Sequence, residues 1–215
     1  KDSLAGFKNS YTGGVAGEVF TELGQLDFSS ELAQIAAFQP DALFTFMPGG
    51  MGVNLVKQYD QAGLGGIPFL SAFTVDETTL PATQDAALGL LGGQNWAPDL
   101  ENEANAAFVE AFIEKYDYVP GTYAMQAYDA AQLIDSAVEK VDGDLTDRDA
   151  LRAALKEADF DSPRGDFSFG VNNYPVQDFY LVEAVQREDG RYATSIVEKI
   201  FDDYVDTYAD QCEMQ

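Results

Sequence analysis

The sequence predicts an α/β fold, a parallel sheet flanked by helices and shared between two lobes. Three observations predict it. Short apolar runs at 42–47, 68–73 and 88–96 alternate with amphipathic helical patterns, at the spacing of right-handed βαβ crossovers. The run Ala42-Leu43-Phe44-Thr45-Phe46-Met47 is almost wholly apolar, as expected of a strand covered by helices on both faces. From Asp99 to Ala158 the pattern is almost entirely helical, and β structure resumes near Asp178. A chain that leaves a sheet near Trp96 and returns near Asp178 is expected to cross between two lobes and back.

The elements follow in order. Leu4, Phe7 and Tyr11 share one helical face, with Gly13-Gly14 as the stop. Val15 to Phe20 reads as a strand and Gly24 to Asp27 as a loop. Asp27 is placed to cap a helix carrying Leu32, Ile35 and Phe38 inward. Pro48-Gly49-Gly50 turns the strand at 42–47 into a helix with Val53, Val56 and Tyr59, stopped by Gly63. Pro68 to Phe73 and Leu88 to Trp96 are further strands.

Three helices come next. The first places Phe108, Phe112 and Ile113 together. The second, Tyr123 to Val141, carries Ala127, Ala130, Ile134, Val138 and Val141 on one stripe. Thr146 is placed to cap the third, with Leu151 and Leu155 inward. No strand lies within this block, so the helices suit either a bundle or the face of a sheet elsewhere. Arg164 to Gly170, Asp178 to Gln186 and Tyr192 to Ile200 read as strands, joined by turns at Gly170-Val171-Asn172-Asn173 and Glu188-Asp189-Gly190. The acidic tail, 202–215, has no assignment.

Composition narrows the chemistry. The chain has 215 residues, 12 basic and 37 acidic, for a formal charge of −25. Such a surface repels phosphate backbones and anionic lipid, so nucleic acid is not an expected partner. With no histidine, Ser-His-Asp and Cys-His pairs and His-ligated zinc are impossible within this chain. Its one cysteine, Cys212, cannot form an internal disulfide. No run approaches 18 apolar residues, so membrane insertion is not expected. The start has neither a basic n-region nor an apolar h-region. It reads as a helix already under way, and the chain is expected to be the downstream part of something longer.

Acids are abundant, and Asp76-Glu77, Asp99 with Glu101 and Glu103, and Asp202-Asp203 are the densest groups. A glycosidase-like pair needs two carboxyls about 5–10 Å apart, which sequence does not show. Among 37 acids, adjacent pairs arise by chance and form a solvated face, so no catalytic residue is assigned. Asp142-Gly143-Asp144 does not meet the EF-hand spacing and reads as a turn, so no metal is expected. The glycine runs form neither a dinucleotide fingerprint nor a P-loop, and no cofactor is expected. Gly49-Gly50, between a buried strand and a helix N-terminus, suits an anion as well as it suits any tight βα turn. Met47, Phe73 and Trp96 stand at the ends of successive strands. If these are parallel, the three line one edge of the sheet and suit a flat, apolar ligand.

Gly24-Gln25-Leu26-Asp27-Phe28-Ser29-Ser30-Glu31-Leu32, Pro40-Asp41-Ala42-Leu43-Phe44, Pro48-Gly49-Gly50, Gln58-Tyr59, Gly63-Leu64 and Ala127-Tyr128-Asp129-Ala130-Ala131 carry a resemblance. Over residues 1–200 the chain resembles the type I periplasmic substrate-binding proteins of ABC transporters, relatives of the leucine/isoleucine/valine-binding protein. The resemblance implies two α/β lobes joined by three crossovers, with ligand between them. It implies that 1–96 and 178–201 form the C-terminal lobe, and 97–177 the returning part of an incomplete N-terminal lobe. The first C-lobe strand, the remaining N-lobe strands and a signal peptide are then expected upstream of Lys1.

Amino-acid-binding relatives carry a carboxylate after the third C-lobe strand to hold the ligand's ammonium group, where this chain has Phe73. Burying an ammonium there without a counter-charge costs several kcal/mol, so an α-amino acid is disfavoured unless Asp76 or Glu77 swings in. Where branched-chain binders have a Tyr after the second strand, this chain has Met47-Pro48. Phe46 to Val53 is most similar to a subgroup that binds aromatic acids of lignin breakdown.

The resemblance therefore implies a non-enzymatic periplasmic carrier that delivers a small organic acid, aromatic in character, to an ABC permease. Met47, Phe73 and Trp96 would pack on the ring. Pro48, Gly49, Gly50 and Thr74 would line the C-lobe side, with Tyr123 and Gln126 facing them. Closure about Ala97-Pro98 and Val176-Gln177 would bury the ligand. A branched-chain amino acid carrier of the same fold, or a ligand-sensing receptor domain, is the other implied role.

Overall fold

A computed structural model describes residues 2–213. Lys1 at the start, and Met214 and Gln215 of the acidic tail, lie outside the described residues. The elements are α1 (Asp2–Ser10), α2 (Ser29–Phe38), β1 (Leu43–Thr45), α3 (Gly49–Gln61), β2 (Phe69–Ala72), α4 (Leu80–Thr83), β3 (Leu91–Gln94), α5 (Glu103–Tyr116), α6 (Thr122–Lys140), α7 (Arg148–Glu157), β4 (Ser168–Phe169), β5 (Pro175–Gln186) and β6 (Tyr192–Tyr204).

Strands β1, β2 and β3 lie side by side and parallel, joined by α3 and then by α4 with a short 3₁₀ turn. Strand β5 then runs antiparallel to β3, and β6 pairs antiparallel with the far side of β5. The short β4 pairs with the first residues of β5. The sheet is thus parallel where it is made from βαβ units, and antiparallel where β5 returns beside β3 and where hairpins add β4 and β6.

Among the described residues, three buried clusters form the interior. The largest gathers Phe28, Leu32 and Ile35 around α2, Leu55, Val56 and Tyr59 of α3, and Phe69 of β2. Leu32, Ile35, Val56 and Tyr59 face inward as the helical spacing predicts, whereas Val53 is half-buried and Phe38 is exposed. The Tyr59 ring meets Phe69 edge-on at 5.2 Å, and its hydroxyl donates to the Ile67 carbonyl. A second cluster holds Trp96, Phe108, Val109 and Met125, and a third holds Ala97, Tyr180 and Val182.

Several expectations are corrected. Val15 to Phe20 forms no strand and is almost wholly exposed. No ladder partner lies beside it among the described residues, and an unpaired extended segment is not a strand. Strand β1 is shorter than 42–47 and only half-buried, because it pairs with β2 alone and its other edge is open. Asp27 stands one residue before the N-cap, Phe28, and accepts the Ser29 N–H at 2.9 Å and its hydroxyl at 2.6 Å.

The cap of α7 is Asp147, whose carboxylate accepts the Asp149 and Ala150 N–H groups. Thr146 instead bonds to Asp144 in the preceding turn. Helix α7 buries Ala154 and half-buries Leu151 and Leu155. The strand expected at 164–170 is reduced to Ser168–Phe169, and β6 runs past Ile200 to Tyr204.

The largest correction concerns α6. It buries Thr122, Met125, Asp129 and Ala137, whereas Ala127, Ala130 and Ile134 of the predicted stripe are exposed, Ile134 at 57%. Periodicity identified an apolar face correctly, but no sheet covers that face among the described residues.

Candidate functional site

Because β1, β2 and β3 are parallel, their carboxyl ends and the loops that follow them fall along one edge of the sheet. Thr74 holds the first two loops together: its hydroxyl accepts the Met47 N–H at 2.9 Å, and the residue is fully buried. Gly52 makes this approach possible, since a Cβ there would collide with the Met47 carbonyl and press on Thr74 Cγ2. Helix α3 follows Pro48, its N-cap, and begins at Gly49, whose φ of +65° suits glycine. No side chain caps this helix, and Gly49 and Gly50 are both exposed.

Phe73 has a φ of +55°, the left-handed region that a bulky side chain enters only under constraint. Such a residue costs about 1–3 kcal/mol and persists where the surroundings force it, often at ligand clamps. Phe73 is half-buried and, among the described residues, its ring stacks on no other ring.

Helix α6 arrives at the same edge. The Thr122 hydroxyl meets Gln94 Oε1 at 3.4 Å, and Gln94 Nε2 donates to the Val75 carbonyl at 2.9 Å. The buried Gln94 thus connects the loop after β2, the end of β3 and the start of α6. Tyr123, 60% exposed, and Gln126, half-buried, lie on the first two turns of α6.

Two predicted residues take other roles. Trp96 is completely enclosed: its indole N–H donates to Asn105 Oδ1 at 2.8 Å and its ring packs edge-on to Phe108 at 6.2 Å. It has no free face to offer a ligand and serves as core under α5 and α6. The Thr74 hydroxyl likewise holds the Met47 loop from inside and is not at the surface.

Around the predicted hinge, Ala97 and Pro98 are buried after β3, and Val176 and Gln177 begin β5. Gln177 Oε1 accepts from Asn95 Nδ2 at 2.8 Å and from Arg164 Nη1 at 2.9 Å. Arg164 Nε in turn pairs with Asp129 of α6 at 2.7 Å, and the Ser162 hydroxyl donates to the same carboxylate. The Arg164 guanidinium also lies 4.5 Å from the Phe167 ring centroid. Burial pushes the Asp129 carboxyl up from its ordinary value, and Arg164 opposes that shift.

Asp76 and Glu77 are where residue counting failed most. A pair of adjacent acids in so acidic a chain reads as solvated surface, yet they are 5% and 3% exposed. Asp76 Oδ1 accepts the N–H groups of Thr78 and Thr79 and the Thr78 hydroxyl. Glu77 Oε1 accepts the Thr194 N–H at 2.8 Å and its hydroxyl at 2.6 Å. Burial pushes the Glu77 carboxyl up to about 7, against the opposing Thr194 bonds. The one sequence-level signal was an Asp followed by Thr-Thr two residues on, a turn-forming pattern.

A cavity of about 590 Å³ lies elsewhere, between the 99–102 and 164–167 segments and the strands β5 and β6. Of the predicted residues it includes only Val176 and Gln177. Asp99, Glu101, Asp166, Asp178, Asp202 and Asp203 outnumber Arg164 and Lys199 on its walls, a charge that repels an organic acid.

Comparison with known proteins gives consistent relatives. The sequence profile described as "Periplasmic binding protein" matches residues 1–191. A Leu/Ile/Val-binding protein homolog from Brucella melitensis is 29% identical over 204 residues, covering 89% of this chain and 51% of the relative. The chain superimposes on an R. palustris ABC-transporter solute-binding protein in complex with benzoate, with a TM-score of 0.81 and 35% identity, covering 93% of this chain and 56% of that one. A second R. palustris solute-binding protein, in complex with 4-hydroxybenzoate, gives 0.82 and 28% over 94% and 57%. The chain spans about half the length of the relatives it matches.

Proposed function

The chain belongs to the periplasmic binding protein family, and on that premise we propose that it works as an extracytoplasmic solute-binding protein, delivering a small aromatic acid of the benzoate or hydroxycinnamate kind to an ABC importer. It performs no chemistry on its ligand. Residues 1–96 with 178–201 make one lobe and 97–177 contribute to the other, with the ligand held at the loops after β1 and β2 and the start of α6. Met47, Pro48 and Phe73 give the apolar wall, Gly49 and Gly50 offer N–H groups to the carboxylate, and Tyr123 and Gln126 face them. Closure turns on Ala97-Pro98 and Val176-Gln177.

The observation that carries this reading is Phe73. An aromatic side chain is held in a left-handed backbone at the carboxyl end of a parallel strand, at the edge where open α/β sheets bind ligands. The neighbouring acids reinforce it. An amino acid would need a carboxylate for its ammonium, but Asp76 and Glu77 are buried and bonded to Thr78, Thr79 and Thr194. The Leu/Ile/Val-binding relative keeps a branched-chain amino acid as the competing ligand.

Calorimetry on the full-length protein with benzoate, 4-hydroxybenzoate, 4-hydroxycinnamate and leucine separates the two. Binding of at least one aromatic acid, with none for leucine, is the expected result. Leucine bound and every aromatic acid refused would overturn the aromatic assignment.

A further inference from the structure

Glu77 stands three residues after Thr74 and faces two other elements. Its Oε1 is held by the Thr194 N–H and hydroxyl of β6, while its Oε2 is enclosed without a hydrogen-bond partner. Helix α6 begins directly opposite. A Cβ built on Gly121, the N-cap of α6, would lie 3.5 Å from Glu77 Cβ and 3.8 Å from Oε2. Among the described residues, no side chain caps α6. An enclosed carboxylate oxygen lacking a donor therefore confronts a helix N-terminus lacking a capping acceptor. Each costs free energy as it stands, and a small approach of α6 to the loop would satisfy both.

We propose that Glu77 is a positioning residue of the ligand site, bonded to β6 through one oxygen and capping the N-terminus of α6 with the other when the loop carrying Phe73 and the start of α6 close on ligand. The proposal rests on the ligand site assigned above. It explains why an acid is buried behind an apolar wall. The acid serves the segment that carries Tyr123 and Gln126, and does not serve the ligand. Of the elements packed against it, β6 presents Thr194 and α6 presents Gly121, neither titratable, and Asp76 on its own loop is the charge that acts on it.

The test is calorimetry of 4-hydroxybenzoate and of leucine between pH 5.5 and 8.5 on the full-length wild type, Glu77→Gln, Gly121→Ala and the double variant. Circular dichroism confirms the fold, and Glu77→Asp stands in should Glu77→Gln not fold. The wild type is expected to bind 4-hydroxybenzoate with an affinity that rises through neutral pH as the capping charge forms. Glu77→Gln should bind about tenfold more weakly at pH 8 with a flat pH profile, because a neutral amide is a poorer cap. Glu77→Asp should keep the pH dependence. Gly121→Ala, which puts a methyl between carboxylate and helix, should weaken binding severalfold in the wild type and have little effect beside Glu77→Gln. A wild type that binds while Glu77→Gln matches it in affinity and pH profile, or full additivity of the two changes, would overturn the role of Glu77 alone. A wild type that binds none of 4-hydroxybenzoate, benzoate, 4-hydroxycinnamate and leucine would overturn the ligand-site assignment and this role with it.

Discussion

The α2–β1–α3–β2 segment and the α5–α6–α7 segment have equally clear helical periodicity, yet α2 and α3 bury most of the face that periodicity predicts, whereas α6 leaves much of its own exposed. In α2 and α3, Leu32, Ile35, Val56 and Tyr59 point to the sheet that lies beside them in the same stretch of chain. In α6, Ala127, Ala130 and Ile134 find no such cover among the described residues, and the helix buries Met125 against Trp96 and α5, and Asp129 against Arg164. An amphipathic pattern records a demand for cover. Whether the demand is met depends on strands that come from elsewhere.

The comparison breaks most visibly with large-to-small changes. Phe28→Ala should cost about 3–5 kcal/mol, as deletion of a fully enclosed aromatic does. Ile134→Ala should cost less than about 0.5 kcal/mol in the 215-residue chain, as at other exposed sites. Urea unfolding of both variants checks this, and a large cost at Ile134 would mean its face is covered after all.

A different kind of bond ties α6 to the 162–164 segment and, through Gln177, to β5. Arg164→Met removes the partner of a carboxylate that is 4% exposed and should cost about 3–5 kcal/mol, because Asp129 is left as an unpaired buried charge. Arg164→Lys should recover part of that, and thermal melts of the pair measure the difference.

Glu77 sharpens the contrast through pH. Its carboxyl is pushed up to about 7 in the fold from an ordinary 4.5. A raised acid favours the folded state below its unfolded value, and that stability is lost as pH rises toward 7. The wild type should therefore lose stability between about pH 4.5 and 7, by up to the order of 3 kcal/mol, relative to Glu77→Gln. Relief of the general negative charge on acidification is common to both proteins, so the difference isolates this residue. Parallel pH profiles of melting temperature would remove Glu77 as the cause.

Among the residues at the candidate site, the smallest effect on stability is expected at Phe73. Phe73→Gly relieves a left-handed backbone while losing a half-buried ring, and stability should change by no more than about 1 kcal/mol. Affinity for an aromatic acid should nevertheless fall at least tenfold, with calorimetry and melting read on the same sample. A large loss of stability with affinity intact would mark Phe73 as core.

Much of this was legible in the residues, and the failures have physical causes. Apolar runs near 43, 69 and 91 became parallel strands because their helices return the chain to the same edge. Val15 to Phe20 has the composition of a strand, but a strand exists only beside another. Trp96 looked like an exposed aromatic at a strand end. It is enclosed because α5 and α6 fold over it with Phe108 and Met125, a contact between segments distant in sequence. Asp76-Glu77 looked like surface in an acidic chain, and only the approach of Thr194, more than a hundred residues later, encloses it.

The sequence by itself determined the α/β class, the order of strands and helices and, by its likeness to known proteins, the family. These follow from local periodicity, turn chemistry and residue identity, which are properties of neighbours along the chain. Tertiary structure alone decided which apolar faces are covered, which carboxylates are buried and that Phe73 is held in a left-handed backbone. Those depend on distant segments meeting, and the free energy of burial belongs to the pair of surfaces and to neither one alone.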